Sequence, residues 1–113
     1  MKQIIFDTSF ILSAVRNKID FFEELLGEKI IIPKQVLNEI KRLGNFDSKL
    51  ALKILEKNSF EEIDLGKGHV DKLIIKFAEK NPKTIVATLD REIKTKVKNQ
   101  KLVIRGKKKL EII

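Results

Sequence analysis

Lys2-Gln3-Ile4-Ile5-Phe6-Asp7-Thr8-Ser9-Phe10-Ile11-Leu12 changes its period in the middle. Lys2–Phe6 is a short, continuous apolar run, read as a buried strand. Thr8–Val15 carries helical spacing, with Asp7 or Thr8 as its N-cap. A buried strand that runs through an acid straight into a helix is the unit of an α/β fold, and the unit recurs. Lys29–Ile32 reads as a strand. Pro33 follows it, and Lys34–Leu43 is amphipathic through Val36, Leu37, Ile40 and Leu43. Glu61–Leu65 precedes the Gly66-Lys67-Gly68 loop and the helix Val70–Lys80, which Asn81-Pro82 ends. Thr84–Thr88 precedes the helix Asp90–Val97, and Leu102–Arg105 is a last strand. Ile19–Leu26, closed by Gly27, and Asp47–Lys57, set off by Gly44, read as additional helices. Residues 106–113 form a short extension.

Strands alternating with helices, with apolar central strands, predict a parallel sheet covered on both faces. The expected architecture is three-layer α/β/α around a central parallel five-stranded sheet, with residues 1–113 as a single domain. At 113 residues, 42% hydrophobic and 35% charged, the composition supports a packed core and argues against disorder. The longest apolar runs are strand-length, and an acid closes the first one at Asp7. A membrane-anchored or secreted protein is therefore not expected, and the expected location is cytoplasmic.

Cysteine is absent and His69 is the one histidine. Disulfides, thiolate zinc sites, iron–sulfur clusters, cysteine nucleophiles and imidazole-rich metal sites are excluded together. A Ser-His-Asp triad would need His69, and there is no Gly-x-Ser-x-Gly elbow. His69 reads as a polar loop residue. Any metal must be held by carboxylates, which points to Mg²⁺ or Mn²⁺.

The formal charge of +8 is uneven. Residues 91–113 hold nine lysines and arginines against Glu92 and Glu111, whereas the first ninety residues are nearly balanced. A polyanion is the natural partner for such an end. Its candidate contacts are Arg91, Lys94, Lys96, Lys98, Arg105, Lys107, Lys108 and Lys109.

Ligands of open α/β sheets bind beyond the C-terminal ends of strands, where Asp7 and Asp90 are expected to lie. Two other acids sit oddly for surface residues. At about 100° per residue, Asp71 falls inside the apolar arc of its helix, between Ala78 and Ile75. Glu39 falls at the edge of the stripe made by Val36, Ile40 and Leu43. Each has a structural explanation when taken alone: Asp7, Asp71 and Asp90 as helix N-terminal acids, Glu39 as an i,i+3 partner of Arg42. Together they describe converging carboxylates, which repel unless protons or a divalent cation relieve them.

The ordered set Ile4-Ile5-Phe6-Asp7-Thr8-Ser9, Ile32-Pro33-Lys34-Gln35-Val36-Leu37-Asn38-Glu39, His69-Val70-Asp71-Lys72 and Val86-Ala87-Thr88-Leu89-Asp90 resembles the PIN domain family across the whole chain. The closing Leu102–Glu111 stretch is similar to small archaeal PIN proteins akin to the eukaryotic pre-ribosomal-RNA processing nuclease. The resemblance implies a Mg²⁺- or Mn²⁺-dependent endoribonuclease. Its acidic quartet falls on Asp7, Glu39, Asp71 and Asp90, both as metal ligands and as the catalytic set, with Ser9 and Thr88 orienting them. Three positions depart from the family pattern: Ser9 and Leu89 stand where Asn is usual, and Lys72 where a second acid often follows. RNA is the implied partner; a second copy of the chain, an antitoxin and a ribosome-assembly partner are further candidates. Ribosomal-RNA processing is one role, which the sequence alone does not separate from a toxin's. The toxin half of a toxin–antitoxin pair and a catalytically silent RNA-binding module are the alternatives. A dehalogenase-type phosphatase would need Asp-x-Asp where this chain has Asp7-Thr8-Ser9. A response-regulator receiver would need an acid after the third strand, where this chain has Leu65-Gly66.

Overall fold

In the computed structural model, which describes residues 1–113, the first strand is the centre of the molecule. β1 (Gln3–Phe6) lies between β2 (Lys29–Pro33) and β4 (Ile85–Ala87), parallel to both. β3 (Glu61–Ile63) continues the sheet beyond β2, and β5 (Lys101–Arg105) continues it beyond β4. The order is therefore 3-2-1-4-5, followed by β6 (Lys109–Ile112). The chain winds outward from β1 in one direction and then in the other. The reversal falls between β1 and β4, where a doubly wound sheet opens a crevice at its C-terminal edge.

Ile4, Ile5 and Phe6 have no solvent exposure, which explains why their run shows no alternation. They belong to one cluster of 26 buried residues. Phe6 stacks on Phe21 at 5.0 Å and meets Phe10 edge-on at 5.3 Å, so α1 (Thr8–Arg16) and the turn after it lock onto the strand. Such aromatic pairs add about 0.5–1.5 kcal/mol each beyond their buried area.

α3 (Lys34–Leu43) and α5 (Val70–Lys80) match their predicted spans, and Gly44 ends α3 in the left-handed region at φ 62°. Elsewhere the structure corrects the reading. The sheet has six strands: Gly106 and Lys107 take positive φ, the chain reverses, and β6 pairs antiparallel with β5 from Arg105↔Lys109 to Leu102↔Ile112. Leu110 and Ile112 lean on the core while Lys109 and Glu111 face water, the period-two signature of an edge strand. The predicted helix Ile19–Leu26 is one turn only, α2 (Phe21–Glu24), capped by Asp20. Phe21 and Phe22 of that turn reach the core, as does Ile19 before it, and Leu26 is exposed. α4 (Phe46–Glu56) starts one residue early because Asn45 caps it, its Oδ1 accepting from the Ser48 amide at 2.9 Å. β3 stops at Ile63, and α6 (Arg91–Lys96) is shorter than expected at both ends. No helix is long and apolar enough to cross a membrane.

Candidate active site

Asp7 leaves β1 at the C-terminal edge, and its amide donates to the Ala87 carbonyl of β4 at 2.9 Å. It occupies the N-cap position of α1, yet its side chain caps nothing. Asp7 Oδ2 instead accepts hydrogen bonds from the Ser9 and Thr88 hydroxyls, each at 2.9 Å. Both hydroxyls also accept. The Leu89 amide donates to Ser9 Oγ at 3.1 Å, and the Asp90 amide to Thr88 Oγ1 at 3.0 Å. Two hydroxyls thus tie the end of β1 to the segment leaving β4. Asp7 is only 3% exposed. Burial pushes its carboxyl pKa up and repulsion from Glu39 adds to the rise, while the Ser9 and Thr88 hydrogen bonds oppose it.

Asp71 is half-buried in the first turn of α5, where His69 is the N-cap residue. Its carboxyl pKa is also raised, first by burial and then by the charges of Asp90, Asp7, Glu39 and Glu92. Asp90 serves as a cap as well: its Oδ1 accepts from the Ile93 amide at 3.0 Å and starts α6. Glu39, in the second half of α3, does not form the expected pair with Arg42. The ion pairs present are Arg16–Asp47, Lys29–Glu61, Lys96–Glu92 and Arg105–Glu111. None of them compensates the four acids.

Asp7, Glu39, Asp71 and Asp90 nevertheless line one cavity of about 320 Å³, together with Thr8, Ser9 and Leu43. Larger hollows of about 370 and 500 Å³ lie beside Asp20 and Phe22; the first holds Asp20 as its single acid and the second Asp20, Glu23 and Glu28, which lie at the N-terminal edge of the sheet. The smaller one alone lies at the C-terminal edge beside the switch point and gathers all four acids. Its donors are all hard oxygens. No three of the acids close into a ready-made coordination shell as they stand. Mg²⁺ is commonly held through one or two carboxylates and several waters, which suits donors spread around a cavity. Thr8 also fits such a group. It is 7% exposed, lines the cavity, and its hydroxyl is buried without a partner, a cost that a bound water or ligand oxygen removes.

Sequence reasoning missed three contributors. The sequence marks Thr8 only as a cap, and Leu43 only as core. Gln35 had no role assigned, yet its Nε2 donates to Asp64 Oδ1 at 2.7 Å and to the Gly66 carbonyl at 2.8 Å, while its Oε1 accepts from the Leu65 amide at 3.0 Å. This pins the loop that delivers α5 and Asp71. The Gln35 hydrogen bond, with the Gly66 amide and the Lys34 charge, lowers the Asp64 pKa. An Asp two residues before Gly66 was the available signal.

The basic residues do not share one face. Arg91 follows Asp90 directly, and Arg105, Lys107, Lys108 and Lys109 lie at the β5–β6 turn; both groups are on the acidic edge. Lys94 is half-buried. Lys96 and Lys98 lie at the opposite edge, lining a hollow with Ala78 and Glu79. β5 crosses the sheet between Lys98 and Arg105, and this separates them.

A doubly wound sheet with four carboxylates at its switch point defines a class of protein that sequence comparison makes explicit. The family profile described as "PIN like domain" matches residues 4–108, and the chain belongs to that family. Ribonuclease VapC4 of Methanocaldococcus jannaschii is 29% identical over 127 residues, covering 99% of this chain and 97% of its own. The solved structure of the PIN domain endonuclease Utp24 superimposes with a TM-score of 0.85 at 25% identity, over 97% of this chain and 90% of that one. PAE2754 from Pyrobaculum aerophilum, with a TM-score of 0.55, 20% identity and coverage of 86% and 87%, shares the fold.

Proposed function

We propose that this chain is a Mg²⁺- or Mn²⁺-dependent endoribonuclease that hydrolyses RNA phosphodiester bonds. The observation that carries the reading is the uncompensated convergence of Asp7, Glu39, Asp71 and Asp90 on one cavity. Membership of the PIN-like family and similarity to a protein named a ribonuclease support it.

Asp7, Asp71 and Asp90 would hold the cation directly or through water, with Glu39 orienting water or a second ion. When bound, the cation supplies charge stabilisation at the phosphate and an acidified water. The chain's own residues do the rest. Burial in the floor of the cavity makes the ionised form of Asp7 costly, so it gains from a cation or a proton. Ser9 and Thr88 fix its rotamer with two hydroxyl donors on one oxygen. Thr88 also sets the position of Asp90 through its amide, so one buried hydroxyl aligns two members of the quartet. The bare acids repel a phosphate inside the cavity, a repulsion that a bound cation would relieve. Arg91 and the lysines of the β5–β6 turn hold the backbone on the same edge without reading sequence.

The test is cleavage of single-stranded RNA with Mn²⁺, Mg²⁺ or EDTA, with product ends sequenced. Cleavage that persists in EDTA, or no cleavage with either ion, overturns the proposal. Ribosomal-RNA processing and a toxin ribonuclease share this chemistry; the product ends and the adjacent reading frame distinguish them, and an antitoxin or assembly factor would be the corresponding partner.

A further inference from the structure

Six large apolar side chains are exposed, and three of them, Leu43 (48%), Phe46 (78%) and Leu50 (37%), fall within eight residues at the corner between α3 and α4. Isolated exposed apolar residues are ordinary, but a group at the rim of a site calls for an occupant. Leu43 lines the acidic cavity itself. Phe46 follows three residues later, after the left-handed Gly44 and the capping Asn45. The chain's reach keeps its Cα within about 11 Å of that of Leu43. Phe46 and Leu50 are one helical turn apart, so they share a face of α4, and Leu50 leads away from the cavity into the neighbouring hollow beside Val15 and Ile19.

Arg42 and Lys49 are exposed around this corner, whereas Lys41 turns to the other side of α3 and lines a hollow with Leu37 and Glu56. The single acid between Ile40 and Leu50 is Asp47, and Arg16 neutralises it with Nε 3.0 Å from Oδ2. The corner therefore combines an exposed ring, an aliphatic shelf and unpaired positive charge beside a phosphate-cleaving cavity. That combination suits a single-stranded nucleic acid, whose bases stack on aromatic rings while cations track its backbone. An apolar patch built for a second copy of this chain would gain nothing from two like charges at its border.

We propose that the α3–α4 corner is a nucleobase platform: Phe46 stacks a base of single-stranded RNA at the rim of the acidic cavity, Leu43 flanks it on the cavity side, and Arg42 and Lys49 hold the flanking phosphates. The proposal rests on the nuclease reading and makes the preferred substrate an unpaired strand.

The experiment compares wild type, Phe46→Ala, Phe46→Trp and an Arg42→Gln/Lys49→Gln variant. Affinity for a short unstructured RNA is measured by anisotropy in EDTA at several salt concentrations, and the KM of its cleavage with Mn²⁺. Phe46 is exposed, so truncating it leaves the core intact, and thermal melts check this. The Phe46→Ala variant is expected to lose roughly 5- to 150-fold in affinity, the range of one base–aromatic stack, with its salt slope unchanged. Phe46→Trp keeps the affinity. The double variant flattens the salt slope by about 1.4 units, at ~0.7 per single-strand phosphate contact. An RNA carrying one abasic residue at the stacked position is insensitive to Phe46→Ala. If Phe46→Ala binds and cleaves within about twofold of wild type, far below one stack, the platform is overturned while the nuclease reading stands. If that variant instead shifts the oligomeric state by light scattering at unchanged RNA affinity, the patch is a protein interface and the proposal fails. If wild type neither binds RNA in EDTA nor cleaves it with Mn²⁺, the nuclease reading fails and the platform falls with it.

Discussion

Replacing Thr88 by Val keeps the shape of a fully buried side chain and removes only its hydroxyl. That hydroxyl donates to Asp7 Oδ2 at 2.9 Å and accepts from the Asp90 amide at 3.0 Å. Two losses follow. A hydrogen bond to a charged group contributes about 1.5–3 kcal/mol, and a donor left unpaired costs about 1–3 kcal/mol when buried. The Asp90 amide lies nearer solvent, so the combined cost is set at about 2–4 kcal/mol. For a chain of this length that lowers Tm by roughly 8–16 °C. The loss also depends on pH. Without Thr88 the Asp7 pKa rises further, because a bond to the ionised form is gone. The penalty is therefore larger at neutral pH than in acid, where Asp7 is protonated in both proteins. Thermal melts by circular dichroism at neutral and mildly acidic pH measure both effects. A variant that melts with wild type at neutral pH, or suffers most in acid, refutes the claim that this hydroxyl supports the ionised carboxylate. Cleavage should fall as well, because Asp90 loses its backbone anchor.

Asp7→Asn should stabilise the metal-free protein at neutral pH. A carboxyl whose folded pKa is raised adds stability below its unfolded pKa and loses it as pH rises through the folded value. The variant's advantage should therefore vanish in acid, and its Mn²⁺-induced Tm rise should disappear; a wild-type Mn²⁺ shift would remove Asp7 from the site. Asp90→Asn should keep α6, since Asn caps a helix as well as Asp, and should still bind RNA while losing cleavage and Mn²⁺ affinity by calorimetry. Changing Lys107, Lys108 and Lys109 together to Gln should flatten the salt dependence of RNA binding by about two units, at ~0.7 per contact, and leave Mn²⁺ binding intact. The same change at Lys96 and Lys98, on the far edge, should leave the slope at its wild-type value.

Period and punctuation made much of this protein legible from its residues. The apolar run ending at Asp7, the amphipathic stretch after Pro33 and the breaker Asn81-Pro82 each report a local preference, and local preferences survive into the fold. The acids were legible for the same reason. Asp71 sits inside an apolar arc, where an unpaired carboxylate is costly, so its position marks it before any packing is known. Tertiary structure decided what depends on partners distant along the chain. Whether residues 109–112 pair or trail depends on the edge that β5 leaves open, and they became a sixth strand. Asp7, with its backbone at an N-cap position, turned its side chain to Thr88, because β4 lies beside β1 and brings a buried hydroxyl within 2.9 Å. The lysines that look continuous from 94 to 109 are divided between two edges, because a strand of the sheet runs between them. Strand order is a choice among long-range pairings of similar apolar surfaces. A single chain's periodicity carries no record of which neighbour wins, and it was that choice that placed Asp7 beside Asp90 and made four scattered acids one site.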